Sequence, residues 1–213
     1  MKKYDVIFIG SGHACWHGAL ILKMQGKSVA LVEKELLGGT CTNYGCDAKI
    51  LLDSPIELKE ALDRYQNVGL TKEAEIEWNN LMQYKKGVIG FMPSALDGLF
   101  KQFGFDVITG SAEFIDKNTI EVAGEKYNAD YFVIGTGQNY IPLDIPGKEY
   151  FKDSRDFLSI DYIPDHVTFV GAGIIGMEFA SICLSFGKKV DIVDVSDRAL
   201  NQYPKKYVDN IVK

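Results

Sequence analysis

Cys41 and Cys46 stand in the run Gly38-Gly39-Thr40-Cys41-Thr42-Asn43-Tyr44-Gly45-Cys46-Asp47-Ala48-Lys49, ahead of the apolar Ile50-Leu51-Leu52. In a chain outside the secretory route, a close cysteine pair points to redox exchange or metal binding. The glycines and Thr40 read as loop, and the cysteines fall where a helix begins. A thiol at a helix N-terminus has a lowered pKa, which supplies thiolate at neutral pH. In an unbroken helix a spacing of five sets Cα atoms about 8.7 Å apart, whereas a disulfide tolerates less than ~7 Å. Pairing therefore requires a distorted first turn, for which Gly45 offers freedom. Zinc is the competing chemistry, but it takes four ligands and no second pair completes the set near this one. Cys15 and Cys183 read as buried, unreactive thiols.

A second kind of chemistry lies in two glycine loops. Residues 6–12 read VIFIGSG and residues 167–173 read VTFVGAG. Gly26-Lys27-Ser28-Val29 matches Gly187-Lys188-Lys189-Val190, and Glu33 matches Asp194, all at one offset of 161 (171 − 10, 187 − 26, 194 − 33). Each copy reads as buried strand, glycine loop, helix and buried strand, the βαβ unit of a dinucleotide fold. Gly10 and Gly12 let the backbone turn tightly and let a pyrophosphate approach the free N–H groups of a helix start. The acid ending the second strand accepts ribose hydroxyls about 20 residues on. Both copies comply, with spacings of 21 (33 − 12 and 194 − 173). The second loop, Gly171-Ala172-Gly173-Ile174-Ile175-Gly176, is complete; in the first, Cys15 takes the third glycine's place. His13 reads as a loop histidine, solvated or within reach of a phosphate.

Around these sites, residues 55–101 carry helical patterns with a polar break at 67–75. Residues 106–137 read as a small antiparallel meander over Val107–Thr109, Thr119–Val122 and Tyr131–Ile134, leaving through Gly135-Thr136-Gly137. Pro142, Pro146 and Gly147 mark a linker. The 213 residues are 46% hydrophobic and 24% charged, with a formal net charge of −6. That balance suits a globular protein and not a nucleic-acid surface. The start is too briefly apolar for a signal peptide, and no run reaches the ~18 residues of a membrane span. The chain is expected to be soluble and cytoplasmic.

GGTCTNYGCDAK at 38–49 resembles the GGTCxNxGCxPK segment of the class I pyridine nucleotide–disulfide oxidoreductases, the family of glutathione reductase, dihydrolipoamide dehydrogenase and mercuric reductase. IGTGQNYIP at 134–142 is similar to that family's ATG…P segment, and GAGIIGMEFA at 171–180 to its NAD-domain motif. The resemblance implies an α/β fold: a Rossmann-like FAD-binding domain over 1–148 with a meander insertion, then the beginning of a Rossmann-like NAD-binding domain over 149–213. It implies that Gly10, Ser11, Gly12, Glu33, Lys34, Gly39, Thr40, Lys49, Ala112, Thr136 and Gly137 hold FAD. Gly171, Gly173, Ile174, Ile175, Gly176 and Asp194 would hold NAD, with NADP disfavoured by the Asp194 carboxylate and Arg198 blurring that preference. Cys41 and Cys46 would form the redox disulfide, Cys46 facing the flavin and Cys41 exchanging with a small disulfide or dithiol. Lys49 and Glu178 would pair beside the flavin.

Two departures qualify the resemblance. Asp47-Ala48 replaces an apolar-proline pair, and the added charge disfavours thiolate. The chain also ends where the family continues into the rest of the NAD domain and a dimerisation domain, so the expectation is the front half of a homodimeric enzyme, inactive alone. The rival readings are a non-catalytic nucleotide-binding fragment and a flavin NADH oxidase with idle cysteines.

Overall fold

The computed structural model describes residues 2–212. Its first strand, β1 (Lys2–Ile9), explains most of what surrounds it. Val6, Ile7, Phe8 and Ile9 are all buried, which a strand achieves only when both faces of its sheet are covered. Ile7 and Ile9 join Ala30, Val32, Ile108, Ile120 and Val122 on one face. Val6 and Phe8 join Cys15, Ala19, Val29, Leu31, Leu96 and Phe100 on the other. Each such large apolar side chain contributes about 1.5–3 kcal/mol by leaving water.

After β1 come α1 (His13–Met24), β2 (Val29–Glu33), α2 (Gly39–Tyr44), α3 (Cys46–Asp63) and α4 (Trp78–Gln102). Four strands follow: β3 (Asp106–Thr109), β4 (Ala112–Asp116), β5 (Thr119–Val122) and β6 (Glu125–Ile134). The sheet order is β3-β2-β1-β6-β5-β4. β3, β2, β1 and β6 run parallel, while β4, β5 and β6 form an antiparallel meander. This is a mixed α/β, Rossmann-like sheet with the expected meander, but one boundary moves. Val107–Thr109 is no meander strand; β3 pairs in parallel with β2, Leu31 opposite Val107. The meander's first strand is instead β4, which the sequence reading passed over. Side-chain alternation identifies a strand and leaves its neighbour open, because pairing is a tertiary choice.

The chain then passes a 3₁₀ turn at Lys148–Tyr150 to α5 (Ser154–Phe157), β7 (His166–Val170), α6 (Ile174–Ser185), β8 (Lys189–Val193) and α7 (Lys205–Ile211). β7 and β8 form a separate parallel pair. By contacts, the chain through Lys49 together with Tyr84–Leu158 makes one compact unit, and Ile50–Gln83 with the chain from Ser159 onward makes another. Within the second unit, Trp78 meets Phe186 edge to face, with ring centroids 5.3 Å apart. Among the described residues no helix is long and apolar enough to cross a membrane.

Candidate functional site

The redox pair is resolved by a break in the helix. Cys41 lies inside the six-residue α2, and Cys46 is the first residue of α3. Gly45 between them leaves helical geometry (φ −150°, ψ −114°). The break brings the two Cα atoms to 4.7 Å, and the sulfurs are bonded. Glycine's small size at 45 eases the close approach, since a Cβ there would stand a tight 3.1 Å from the Thr40 carbonyl oxygen. The expectation of a distorted turn relieved by Gly45 is met in this form, as two helices meeting at one residue. Cys46 sits at the N-terminus of α3, where the helix dipole favours thiolate, although Asp47 follows it.

Loop and disulfide segment are locked together. Gly38 N–H donates to Ser11 Oγ at 3.2 Å. A Cβ on Gly39, where φ is +65°, would meet the Gly12 Cα at 2.7 Å, so only backbone fits between the two loops. His13 is exposed to solvent, but it stands on a helix and not in the loop. It opens α1, and its Nε2 shares a 3.0 Å hydrogen bond with Thr42 Oγ1. Thr42 is buried beside Cys41. His17 in turn reaches His13 Nδ1 at 3.2 Å.

The carboxyl ends of the parallel strands gather most of the other expected residues, the edge where open α/β sheets bind ligands. Glu33 Oε2 accepts from Ser11 N at 3.0 Å and Ser11 Oγ at 2.6 Å. Its Oε1 accepts from the backbone N–H groups of Lys34 and Glu35, both at 2.8 Å. Gly110 N–H donates to the Glu33 carbonyl at 2.8 Å, which brings the turn before Ala112 to the same edge. The exit after β6 closes over the loop: a Cβ on Gly10 (φ +109°) would stand 2.2 Å from the Gly135 oxygen, and Thr136 follows directly. Thr40, Thr136, Gly137 and the Lys34 side chain are exposed, and Lys49 is half-buried on α3.

The second unit repeats the pattern. Ala172 N–H donates to Asp194 Oδ2 at 2.6 Å, and Ser196 N–H to Oδ1 at 2.7 Å. These backbone donors hold the Asp194 carboxyl below its usual pKa. Gly171 and Gly173 flank Ala172; Ile174, Ile175 and Gly176 open α6, which also carries Glu178. Arg198, four residues past Asp194, is committed elsewhere. Its guanidinium donates to the carbonyls of Leu200, Asn201 and Tyr203 at 3.4, 2.6 and 2.9 Å.

Both loops fit a nucleotide pyrophosphate by the same test. α1 and α6 start at Gly12 and Gly173 with no side-chain cap among the described residues, which leaves N–H groups directed at an anion. No cluster of three or more metal-binding side chains occurs among the described residues.

The sequence reading missed what surrounds Cys15. Its sulfur occupies the space of the absent Gly135 side chain, 2.2 Å from where a Cβ would stand. Burial pushes the Cys15 thiol up, and the Cys183 thiol up to about 11. The glycine at 135 was visible in sequence; its dependence on a residue 120 positions earlier was not.

A family model described as pyridine nucleotide-disulphide oxidoreductase matches residues 4–213. A dihydrolipoyl dehydrogenase of Acholeplasma laidlawii is 32% identical over 208 residues, covering 93% of this chain and 62% of that protein. A mercuric reductase of Bacillus cereus is 30% identical over 214 residues, covering 99% of this chain and 34% of the other. Among solved structures, the HOCl-induced flavoprotein disulfide reductase RclA from Escherichia coli superposes with a TM-score of 0.84 at 29% identity, covering 98% of this chain and 46% of that one. The chain thus spans less than two thirds of the length of each.

Proposed function

The chain belongs to the pyridine nucleotide-disulphide oxidoreductase family, and from that membership we propose that it is the flavin- and cysteine-bearing part of an NAD-linked disulfide oxidoreductase. The observation that carries this reading is the Cys41–Cys46 disulfide held against the first glycine loop. That loop, with Glu33, the Ala112 segment and Gly135–Gly137, would bind FAD. FAD supplies two-electron exchange between a nicotinamide and a disulfide. The second loop and Asp194 would bind the nicotinamide nucleotide.

The chain's own groups divide the work. The glycine loops and helix starts orient the pyrophosphates. The N-terminus of α3 stabilises the Cys46 thiolate, leaving Cys41 to exchange with a small disulfide or dithiol. Overall, NADH gives up a hydride, and the disulfide takes its two electrons and proton, with a second proton from solvent, to become a dithiol. Asp194 favours NADH over NADPH by repelling a 2′-phosphate; with Arg198 spent on three carbonyls, the cation that would offset this is occupied. Lys49 and Glu178 would tune the flavin electrostatically, and the full-length enzyme would be a cytoplasmic homodimer.

The test is the visible spectrum of the purified protein before and after NADH. Yellow colour with a long-wavelength band on two-electron reduction, abolished in Cys46→Ser, is the expected result. A band that survives in Cys46→Ser rules out the cysteine assignment.

A further inference from the structure

α2, which carries Cys41, is short, and a six-residue helix has little stability of its own. Buried Asn43 braces its start, donating to the Leu37 and Gly39 carbonyls at 2.9 and 3.0 Å; the contacts along the rest come from far away in sequence. His13 bonds Thr42 near its middle. At its last residue, Tyr44, the Arg155 guanidinium lies over the ring, 4.4 Å from the centroid. Arg155 Nη1 also meets Glu35 Oε2 at 3.2 Å. All three residues belong to the first compact unit.

Arg155 is presented firmly. It lies on α5, a single turn closed by a complete capping box: Asp153 accepts from the backbone N–H groups of Arg155 and Asp156, and Asp156 accepts from that of Asp153. At the far end, the buried Lys85 ammonium donates to the Leu158 carbonyl. Glu35 is fixed too, its N–H donating to Glu33 Oε1. A chain of contacts therefore runs from the acid at the first glycine loop through Glu35 and Arg155 to Tyr44, two residues before Cys46. A planar guanidinium can stack on a ring and bond a carboxylate at once; an ammonium cannot do both.

We propose that Arg155 is a positioning residue for the redox pair, clamping Tyr44 so that the turn between Cys41 and Cys46 stays in the geometry that joins their sulfurs. The proposal rests on the redox reading of that pair. Glu35 offsets the guanidinium charge, so the clamp acts through geometry and not by stabilising thiolate. Releasing it loosens the turn, and the disulfide becomes easier to reduce.

The experiment equilibrates the intact chain in dithiothreitol buffers of graded ratio and counts free thiols at 41 and 46 by mass-shift labelling, without nucleotide or substrate. Arg155→Ala is expected to shift the equilibrium toward the dithiol three- to tenfold, tenfold being about 30 mV. Tyr44→Leu should give a similar shift, and the double variant no more than either alone. Arg155→Lys keeps the charge yet should behave like Arg155→Ala, which separates clamping from electrostatics. Far-ultraviolet circular dichroism checks that each variant folds; Tyr44→Leu carries the test if Arg155→Ala does not. An equilibrium within twofold of wild type in both single variants, or full recovery in Arg155→Lys, overturns the proposal. Failure of the NADH spectrum instead strikes the functional reading and leaves this equilibrium measurable.

Discussion

The two glycine-loop units differ in what surrounds them far more than in how they are built. α1 and α6 are each 12 residues long and begin at positions exactly one offset apart. Gly10 and Gly171 share φ +109°, and each donates its N–H across the loop at 2.7 Å, to Val32 and to Val193. Ser11 with Glu33 repeats in Ala172 with Asp194. Yet β1 is buried on both faces, while Val170 and Val193 at the ends of β7 and β8 are exposed. Local sequence dictates the loop's backbone; neighbours decide how much a change in it costs.

The sharpest way to break this comparison is a pair of matched substitutions. Gly10→Ala puts a Cβ 2.2 Å from a carbonyl oxygen that no rotamer can move, whereas at Gly171 none of the described residues comes within 4 Å of an added Cβ. Gly171→Ala should cost only the backbone strain, about 1–3 kcal/mol. Gly10→Ala adds a collision to the same strain and should leave the first unit unfolded. Urea titration of both variants measures this; equal shifts in midpoint would refute the role given to neighbours.

The next effect concerns the third loop position. In the second copy Gly176 is required, since a Cβ would lie 2.2 Å from the Gly171 oxygen. In the first copy Cys15 stands there, and Gly135 supplies the room. Gly135→Ala should destabilise by about 1–3 kcal/mol through overpacking. Adding Cys15→Ala should recover much of that loss, with a coupling energy of at least about 0.5 kcal/mol between the two sites. Simple additivity would show that the two positions do not share the space.

The smallest effect concerns acid. The Asp194 carboxyl is held below its ordinary value by the N–H groups of Ala172 and Ser196. A carboxyl depressed in the folded state contributes stability that is complete above its unfolded pKa, about 3.9, and lost as pH falls through the folded value. With Trp16→Phe as background, Trp78 reports the second unit alone. In Asp194→Asn the fluorescence-detected stability should fall less steeply as pH drops below about 4, the slope that remains including Asp165, which Lys188 holds below its ordinary value. A slope unchanged from the parent would count against the hydrogen bonds as its source.

Much of this was legible in the chain. The duplication at an offset of 161 located both loops, both helices and both acids, because tight turns and buried strands leave local signatures. The redox segment was legible as chemistry and, through Gly45, as a place for distortion only in outline. The pairing of β3 with β2, the exchange of bulk between Cys15 and Gly135, and the Arg155–Tyr44 stack were not legible. Each joins residues remote in sequence, and neither composition nor periodicity records which surfaces will meet.

The kink at Gly45 has a mechanical corollary. The two sulfur-bearing residues hang on separate helical segments joined at one small residue, so parting and rejoining the sulfurs calls for a swivel at that joint while contacts from elsewhere in the first unit hold the shorter segment.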